Sequence, residues 1–164
     1  MDKPLLRECV LAQLEADLAV AVQAAKTAHE TATAEENIAE NKYDTLGLEA
    51  AYLAAGQSRR VQEITQALQR LQQLTWRDYD PELGVDLGVV VQLQGALQQG
   101  QNPSRWLLLL PDAAGLKITF AERQIMLVSP QSPMGQALRG RLIGDEVALA
   151  TAAPLQRLQL RQAY

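Results

Sequence analysis

The sequence contains a single cysteine and a single histidine, which limits the chemistry open to the protein. Cys9 has no second cysteine with which to form an internal disulfide. His29 falls within a predicted helix, where we expect a solvated or contact-flanking side chain. No Cys/His cluster has metal-ligand spacing, and catalytic nucleophiles are usually activated by a nearby base. The sequence therefore argues against an independent hydrolase.

Positive charge and long apolar runs are also scarce. The formal net charge is −4 at pH 7, and the acidic excess lies in the first 75 residues. A protein that binds nucleic acid along its length needs clustered Lys and Arg, which are not seen here. The longest apolar run, WLLLLP at 106–111, is too short to span a bilayer. The N-terminus lacks the layout of a secretion signal. We expect a soluble, cytoplasmic protein without a membrane partner.

The first 75 residues contain little glycine or proline and are rich in Ala, Gln, Glu and Leu. Small or apolar residues recur there at alternating spacings of three and four, which is the pattern of helices packed along a seam. The first seam comprises Leu11, Leu14, Leu18, Ala21, Ala25, Ala28 and Ala32, and the second comprises Ala50, Ala54, Gln57, Val61, Ile64, Leu68 and Leu71. The pattern predicts two long helices.

The segment between the seams, residues 42–47, is short enough that the two helices must be neighbours. We predict an antiparallel helical hairpin over residues 1–75, with its tip at about 42–47. At about 1.5 Å per residue, the arm from Leu11 to the turn would be roughly 45 Å long. The seam residues change from leucine to alanine toward the turn, so this end should be slender and weakly stabilised.

Acidic residues surround the predicted turn. Glu36, Glu40 and Asp44 are spaced four apart, so their like charges would lie on one helical face, and a bound cation would relieve their repulsion. A purely structural interpretation is equally open. Asp44 or Thr45 could cap the second helix, Glu49 could be a favourable acid in its first turn, and the glutamates could form a solvated face.

The rest of the chain predicts a small α+β domain at 85–164, connected to the hairpin by a linker at 76–84. Six strand-like runs are separated by Gly, Pro, Asn and Asp, and they indicate a largely antiparallel sheet. One short helix interrupts them. Ser132 is a good N-cap, Pro133 suits the first helical position, and Gly140 should end the turn after Arg139.

The segment LVSPQSPMGQALRGRLIGDEVAL, residues 127–149, resembles the C-terminal signature of the bacterial Gre transcription elongation factors. With the predicted hairpin in front of it, the resemblance covers nearly the whole chain. It implies a coiled-coil hairpin followed by an FKBP-like domain, in a monomer that docks on RNA polymerase and meets nucleic acid only within the transcription complex. It also implies partner-binding roles for Ser132, Pro133, Met134, Gly135 and Asp145.

The resemblance further implies that the hairpin enters the secondary channel of RNA polymerase, where acids at its tip act on Mg²⁺ held by the polymerase. Such a factor needs no cofactor of its own and does not catalyse alone. Asp44 and Glu49 are the candidate catalytic acids, and Glu40 joins them as a candidate metal ligand shared with the polymerase. The family's Asp and Glu, however, align with Thr45 and Leu48. The acidic pair in this sequence is therefore more widely spaced.

Three alternatives accompany this interpretation. A secondary-channel regulator that stimulates no transcript cleavage would need the hairpin without a precise acidic pair. A structural coiled-coil adaptor would need no special tip at all. A prolyl isomerase is disfavoured because the chain has only one Phe, four Tyr and two Trp with which to line an apolar proline pocket.

Overall fold

The computed structural model describes residues 1–33, 45–95, 104–149 and 156–164. Two long helices come first, α1 at Lys3–Thr33 and α2 at Thr45–Gln73. Helix α1 begins well before the first predicted seam residue. The carboxylate of Asp2 accepts a hydrogen bond from the Leu5 N–H at 3.0 Å, and Pro4 is tolerated in the first turn because its missing N–H would have no helical partner there.

The two predicted seams are confirmed as the protected faces of α1 and α2. Every predicted seam residue is buried or half-buried, whereas most residues between them are exposed. The buried stripe of α1 also extends back through Val10 and Leu6 to Lys3. The alternating spacing therefore identified the packed faces correctly, including the alanine-rich part.

The chain divides into two compact units. One comprises residues 11–70, which are the larger parts of α1 and α2. The other comprises residues 1–10 and 71–164, which are the outer ends of the two helices together with all the strands and a short helix. In this second unit, Leu6, Val10 and Leu71 are fully buried.

Six strands follow α2, close to the predicted runs. They are β1 at Val90–Gly95, β2 at Ser104–Leu109, β3 at Lys117–Phe120, β4 at Arg123–Val128, β5 at Glu146–Leu149 and β6 at Gln156–Ala163. Helix α3, at Pro133–Leu138, lies between β4 and β5. The predicted order of a helical hairpin and then an α+β domain with one short helix is confirmed.

The strands form one sheet in the order β3-β4-β2-β1-β6-β5. Four of its five pairings are antiparallel, as expected, but β2 and β4 are parallel. The parallel pair arises because the chain leaves β2, passes the position of β4, forms β3 at the edge and returns through β4. The sheet is therefore mixed rather than purely antiparallel.

The centre of the sheet is buried on both faces. Val90 pairs with Leu108, which in turn pairs with Leu127, and all three side chains are fully buried. The neighbouring residues in these strands point to the other face, where they form an apolar cluster with residues of α3, β5, β6 and the segment before β1: Val85, Val89, Val91, Leu93, Leu107, Leu109, Val128, Leu138, Val147, Leu158 and Leu160. Burial on both faces explains the unbroken apolar runs at the ends of β2 and β4, which are 106–109 and 125–128.

No helix in the described part of the chain is long and apolar enough to cross a membrane.

Candidate functional site

The predicted acidic turn lies partly beyond the part of the chain that the structure describes. Glu36, Glu40 and Asp44 lie outside the described residues, so their predicted roles stay predictions. Glu49 is described and is exposed on α2. Because α2 begins at Thr45, Glu49 lies beyond the first turn, which contains no acid. The interpretation of Glu49 as a first-turn acid is therefore wrong.

Large apolar side chains surround Glu49, which the sequence analysis did not anticipate. Leu48, Tyr52 and Leu53 have 55%, 71% and 57% of their surface exposed, respectively. Residues three and four apart are neighbours on a helix, so Glu49 lies beside Tyr52 and Leu53. The signal was available, because none of the three apolar residues falls on the predicted seam. This end of α2 can therefore make apolar contacts as well as charged ones.

A shallow apolar groove of about 550 Å³ runs between α1 and α2 in the unit formed by residues 11–70. Its walls include Val20, Ala24 and Ala28 from α1, and Ala50 and Leu53 from α2. Alanine side chains fill little space, so the two helices leave this gap where the seam is alanine-rich. The groove fits the expectation that this part of the hairpin is weakly stabilised.

The first half of the Gre-like signature forms a tight cap on α3. The Ser132 hydroxyl donates to the Ser129 carbonyl at 2.6 Å and accepts from the Gly135 N–H at 3.0 Å. Pro133 occupies the first helical position, as predicted. Gly135 is buried so closely that an added Cβ would lie 2.0 Å from the Ser129 oxygen. Ser132 and Gly135 therefore have structural roles. Pro133 is exposed, whereas Met134 is half-buried and packs against the apolar cluster.

The second half of the signature shapes the turn before β5. The Asp145 carboxylate accepts from the Leu142 N–H at 3.0 Å, while the Asp145 N–H donates to the Leu142 carbonyl at 3.0 Å. Gly144 has a φ of 101°, a conformation that suits glycine. Its N–H donates to the Leu160 carbonyl of β6 at 2.8 Å. Asp145 thus fixes the turn before β5 through contacts within the chain.

This turn presents two exposed apolar side chains that the sequence analysis missed. Leu142 and Ile143 are 40% and 50% exposed, and Leu83 in a neighbouring loop is 65% exposed. The two loops are joined because the Val85 N–H donates to the Arg141 carbonyl at 3.0 Å and the Ile143 N–H donates to the Tyr79 hydroxyl at 3.1 Å. We call Leu83, Leu142 and Ile143 the apolar loop patch.

No group of three or more His, Cys, Asp or Glu side chains that could hold a metal occurs among the described residues. Glu49, the one predicted metal ligand that is described, does not belong to such a group. The predicted sharing of a polymerase-held Mg²⁺ therefore stays a prediction.

Lys3 is a buried cation with an unusual set of partners. Only 8% of its surface is exposed. Its ammonium donates to the Arg77 carbonyl at 2.8 Å and to the Gly88 carbonyl, and lies 3.9 Å from the Asp78 carboxylate. Burial lowers the pKa of Lys3 from 10.5 to about 8, and the attraction of Asp78 opposes part of that shift. Lys3 thereby ties the start of α1 to the segment that follows α2.

We expect the Lys3 ammonium to lose its proton near pH 8 in the folded protein. The unfolded chain keeps this proton to about pH 10.5, so the cost of burying the charge is present below pH 8 and is relieved as the pH rises toward 10.5. Relative to Lys3→Met, the native chain should gain about 1–2 kcal/mol of unfolding free energy between pH 7 and 10, after allowance for solvent screening.

Two measurements check this expectation. Carbon-13 NMR of the lysine Cε atoms should show one signal with a midpoint near pH 8, and that signal should be missing from the Lys3→Met variant. Chemical denaturation of both proteins at pH 7 and pH 10 gives the difference in free energy. A Lys3 midpoint at 10 or above would contradict the proposed effect of burial.

No family model matches the chain, and no curated protein matches it significantly. Among solved structures, the Gfh1 protein (GreA factor homolog 1) of Thermus thermophilus is 21% identical, with a TM-score of 0.38 over 94% of each chain. Gfh1 of Thermus aquaticus is 22% identical, with a TM-score of 0.39 over 93% of this chain and 92% of that one.

The prokaryotic transcription elongation factor GreA/GreB from Nitrosomonas europaea is 16% identical, with a TM-score of 0.36 over 61% of this chain and 78% of that one. All these TM-scores are below 0.5. The fold of this chain therefore follows from its own helices and strands, and its function from its own residues.

Proposed function

We propose that this chain is a divergent Gre-type transcription factor that binds RNA polymerase and presents the turn between α1 and α2 to the secondary channel. The observation that carries the proposal is the signature at 127–149, which follows a long helical hairpin in the same chain. The hairpin comes before the domain that contains the signature, and this is the order of parts that the proposal requires. The polymerase supplies the active site and its Mg²⁺, and this chain acts on them without a cofactor of its own.

The roles of the signature residues refine the docking surface. Ser132, Gly135 and Asp145 hold the α3 cap and the following turn in shape through contacts within the chain. Side chains that point outward from this framework are better placed to meet a partner. We therefore assign the polymerase contact to the exposed Pro133 together with the apolar loop patch, because exposed apolar groups gain most from burial at an interface, whereas Met134 is half-buried against the apolar cluster.

The turn of the hairpin favours regulation over strong cleavage stimulation. Asp44 and Glu49 are five residues apart rather than three, so they converge on one metal only if the turn brings them together. In addition, Leu48, Tyr52 and Leu53 expose apolar surface around Glu49. Such a surface suits a hairpin that occupies the channel and makes apolar contacts with the channel wall. The acids would modulate the polymerase-held metal from that position.

A structural coiled-coil adaptor is the second candidate, because a hairpin with an apolar groove can bind a partner helix without any special tip. The two functions differ in what the turn contributes. Scrambling residues 42–49 should leave the partner binding of an adaptor intact, but it should abolish the effect of a channel-entering factor on transcription.

The proposed docking surface predicts a loss of binding when the apolar loop patch is made polar. Ile143→Ser should weaken binding to core RNA polymerase about tenfold or more, since one buried apolar contact at an interface centre is worth more than 1 kcal/mol. The matched control is Val22→Ser in α1, because Val22 is 49% exposed and Ile143 is 50% exposed. Binding can be measured by fluorescence anisotropy of the labelled factor.

The same assay tests the proposed function as a whole. Core polymerase should bind the labelled factor, and an unlabelled factor that occupies the secondary channel should displace it. Failure to bind polymerase, or binding undisturbed by that competitor, would overturn the proposal. Equal loss in Ile143→Ser and Val22→Ser would remove only the assignment of the docking surface.

A further inference from the structure

None of the nine described residues that line the apolar groove between α1 and α2 carries a charge, although 21% of the residues in the whole chain do. Two of the lining side chains are large and open to water. Val20 on α1 is 70% exposed, and Leu53 on α2 is 57% exposed. Exposed apolar surface of this kind marks interaction sites. The groove is therefore a candidate surface for association with another protein.

A row of exposed residues runs along α2 at the edge of this groove. It comprises Glu49, Leu53, Gly56 and Arg60. Their spacings are four, three and four, so they lie on one face of the helix. This order of spacings reads the same in both directions. A second α2 helix that runs antiparallel to the first would therefore place its own row in register with this one.

The antiparallel register brings complementary residues together at each position of the row. Glu49 meets Arg60 of the second copy, and Arg60 meets Glu49 of the second copy. Leu53 meets Gly56 of the second copy, and nothing in the chain itself lies within 4 Å of the position that a Cβ of Gly56 would take. Opposite charges meet twice, and a large side chain twice meets open space. Such self-complementarity is what a twofold interface requires.

The direction of the row suits a bundle of four helices. At about 100° per residue, the row lies roughly 90° around α2 from the seam that packs on α1. Each helix of a four-helix bundle contacts two neighbours about that far apart around its axis. Two hairpins whose grooves face each other would satisfy this geometry. Leu53 of each copy would then fill the space that the alanines leave, and Val20 would be covered.

We infer that two copies of this chain associate through their grooves, with the two α2 helices antiparallel. The contact that Arg60 makes within its own chain gives way readily, since it lies 3.9 Å from Glu63 and both side chains are largely exposed. The pair is an alternative to the monomer that the Gre resemblance implies. It does not depend on the proposed role in transcription.

A second copy fits this surface better than an unrelated helix, because the row supplies both halves of every contact. The row is short, however. From Glu49 to Arg60 it spans roughly 17 Å of helix. Such a contact is smaller than a standard interface of about 800 Å² per partner, so we expect a dissociation constant of about 10–100 μM.

The test is sedimentation velocity of the full chain over concentrations from about 1 μM to about 1 mM. Glu49→Arg and Arg60→Glu should each weaken the dimer about tenfold or more, because each places like charges together at two symmetric contacts. The double variant restores opposite charges and should recover the native dissociation constant to within about threefold. The matched control is Glu15→Arg, which reverses an exposed acid on α1 outside the row and should change nothing.

Gly56→Gln tests the close contact without weakening the helix. Its side chain would occupy the space that Leu53 of the second copy needs, so the dimer should weaken about tenfold or more. Glutamine favours a helix more than glycine does, so the monomer should be at least as stable as the native one. A chain that stays monomeric at about 1 mM would overturn the inference and leave the groove to a helix of another protein. A dimer unaffected by the charge reversals and by Gly56→Gln would overturn it as well.

Discussion

Replacing Gly135 by alanine should destabilise the protein by about 3 kcal/mol or more and lower its melting temperature by roughly 6–12 °C. The new Cβ would lie 2.0 Å from the Ser129 carbonyl oxygen and 2.8 Å from the Pro130 Cα. Both are backbone atoms, which cannot rotate away as a flexible side chain can. Relief therefore requires movement of α3 or of the segment before it. Either movement breaks the Ser132 cap, whose hydroxyl bonds both the Ser129 carbonyl and the Gly135 N–H.

Gly56→Ala provides the matched control for Gly135→Ala. Gly56 lies within α2, and nothing lies within 4 Å of the position that its Cβ would take. Alanine should therefore stabilise the protein by up to about 1 kcal/mol, because it favours the helix more than glycine does. Thermal and chemical denaturation of the two variants measure the changes in melting temperature and in the free energy of unfolding. If Gly135→Ala were as stable as the native chain, the structural account of this half of the signature would be wrong.

Removing the charges of Asp44 and Glu49 should abolish most of the effect on transcription while polymerase binding is retained. Asp44→Asn keeps the capping ability of the side chain, so it separates a cap from a charge. Glu49→Gln changes an exposed side chain and should alter the free energy of unfolding by less than about 0.5 kcal/mol. Loss of function in these variants would therefore reflect the charge and not the fold.

The control for the acidic pair is Glu63→Gln, which removes an exposed acid from the same helix. Glu63 lies 3.9 Å from Arg60 one turn earlier, a surface ion pair that contributes little to stability. This variant should retain the full effect on transcription. The assay is transcription by polymerase on a backtracked complex, with and without factor. Full activity in the double variant Asp44→Asn, Glu49→Gln would favour steric occupation of the channel over action on the metal.

The hairpin and strands could be predicted because their signals are local and repeated. The spacing of apolar residues, alternately three and four apart, identifies the packed face of each helix. It placed even the polar Gln57 correctly, since Gln57 is half-buried in the structure. Strand positions likewise followed from apolar runs bounded by turn residues. Ser132 and Pro133 were predicted as the start of α3 because the cap and the first helical position each favour particular residue types.

Features that depend on distant parts of the chain were not predicted. The parallel pairing of β2 and β4 follows from where the chain places β3, which no local pattern records. Lys3 is buried because carbonyls of Arg77 and Gly88 meet it from far along the sequence. The apolar loop patch is visible only once two separate loops are joined.

The position of β6 in the sheet has a consequence for synthesis of the protein on the ribosome. β6 is the last strand in the chain, yet it lies between β1 and β5. During translation, the backbone N–H and C=O groups along one edge of β1 therefore stay unpaired until β6 has emerged. At about 5–20 residues per second, this interval lasts several seconds. For that time the nascent chain carries an unpaired strand edge, so co-translational aggregation and chaperone capture compete with folding until β6 is in place.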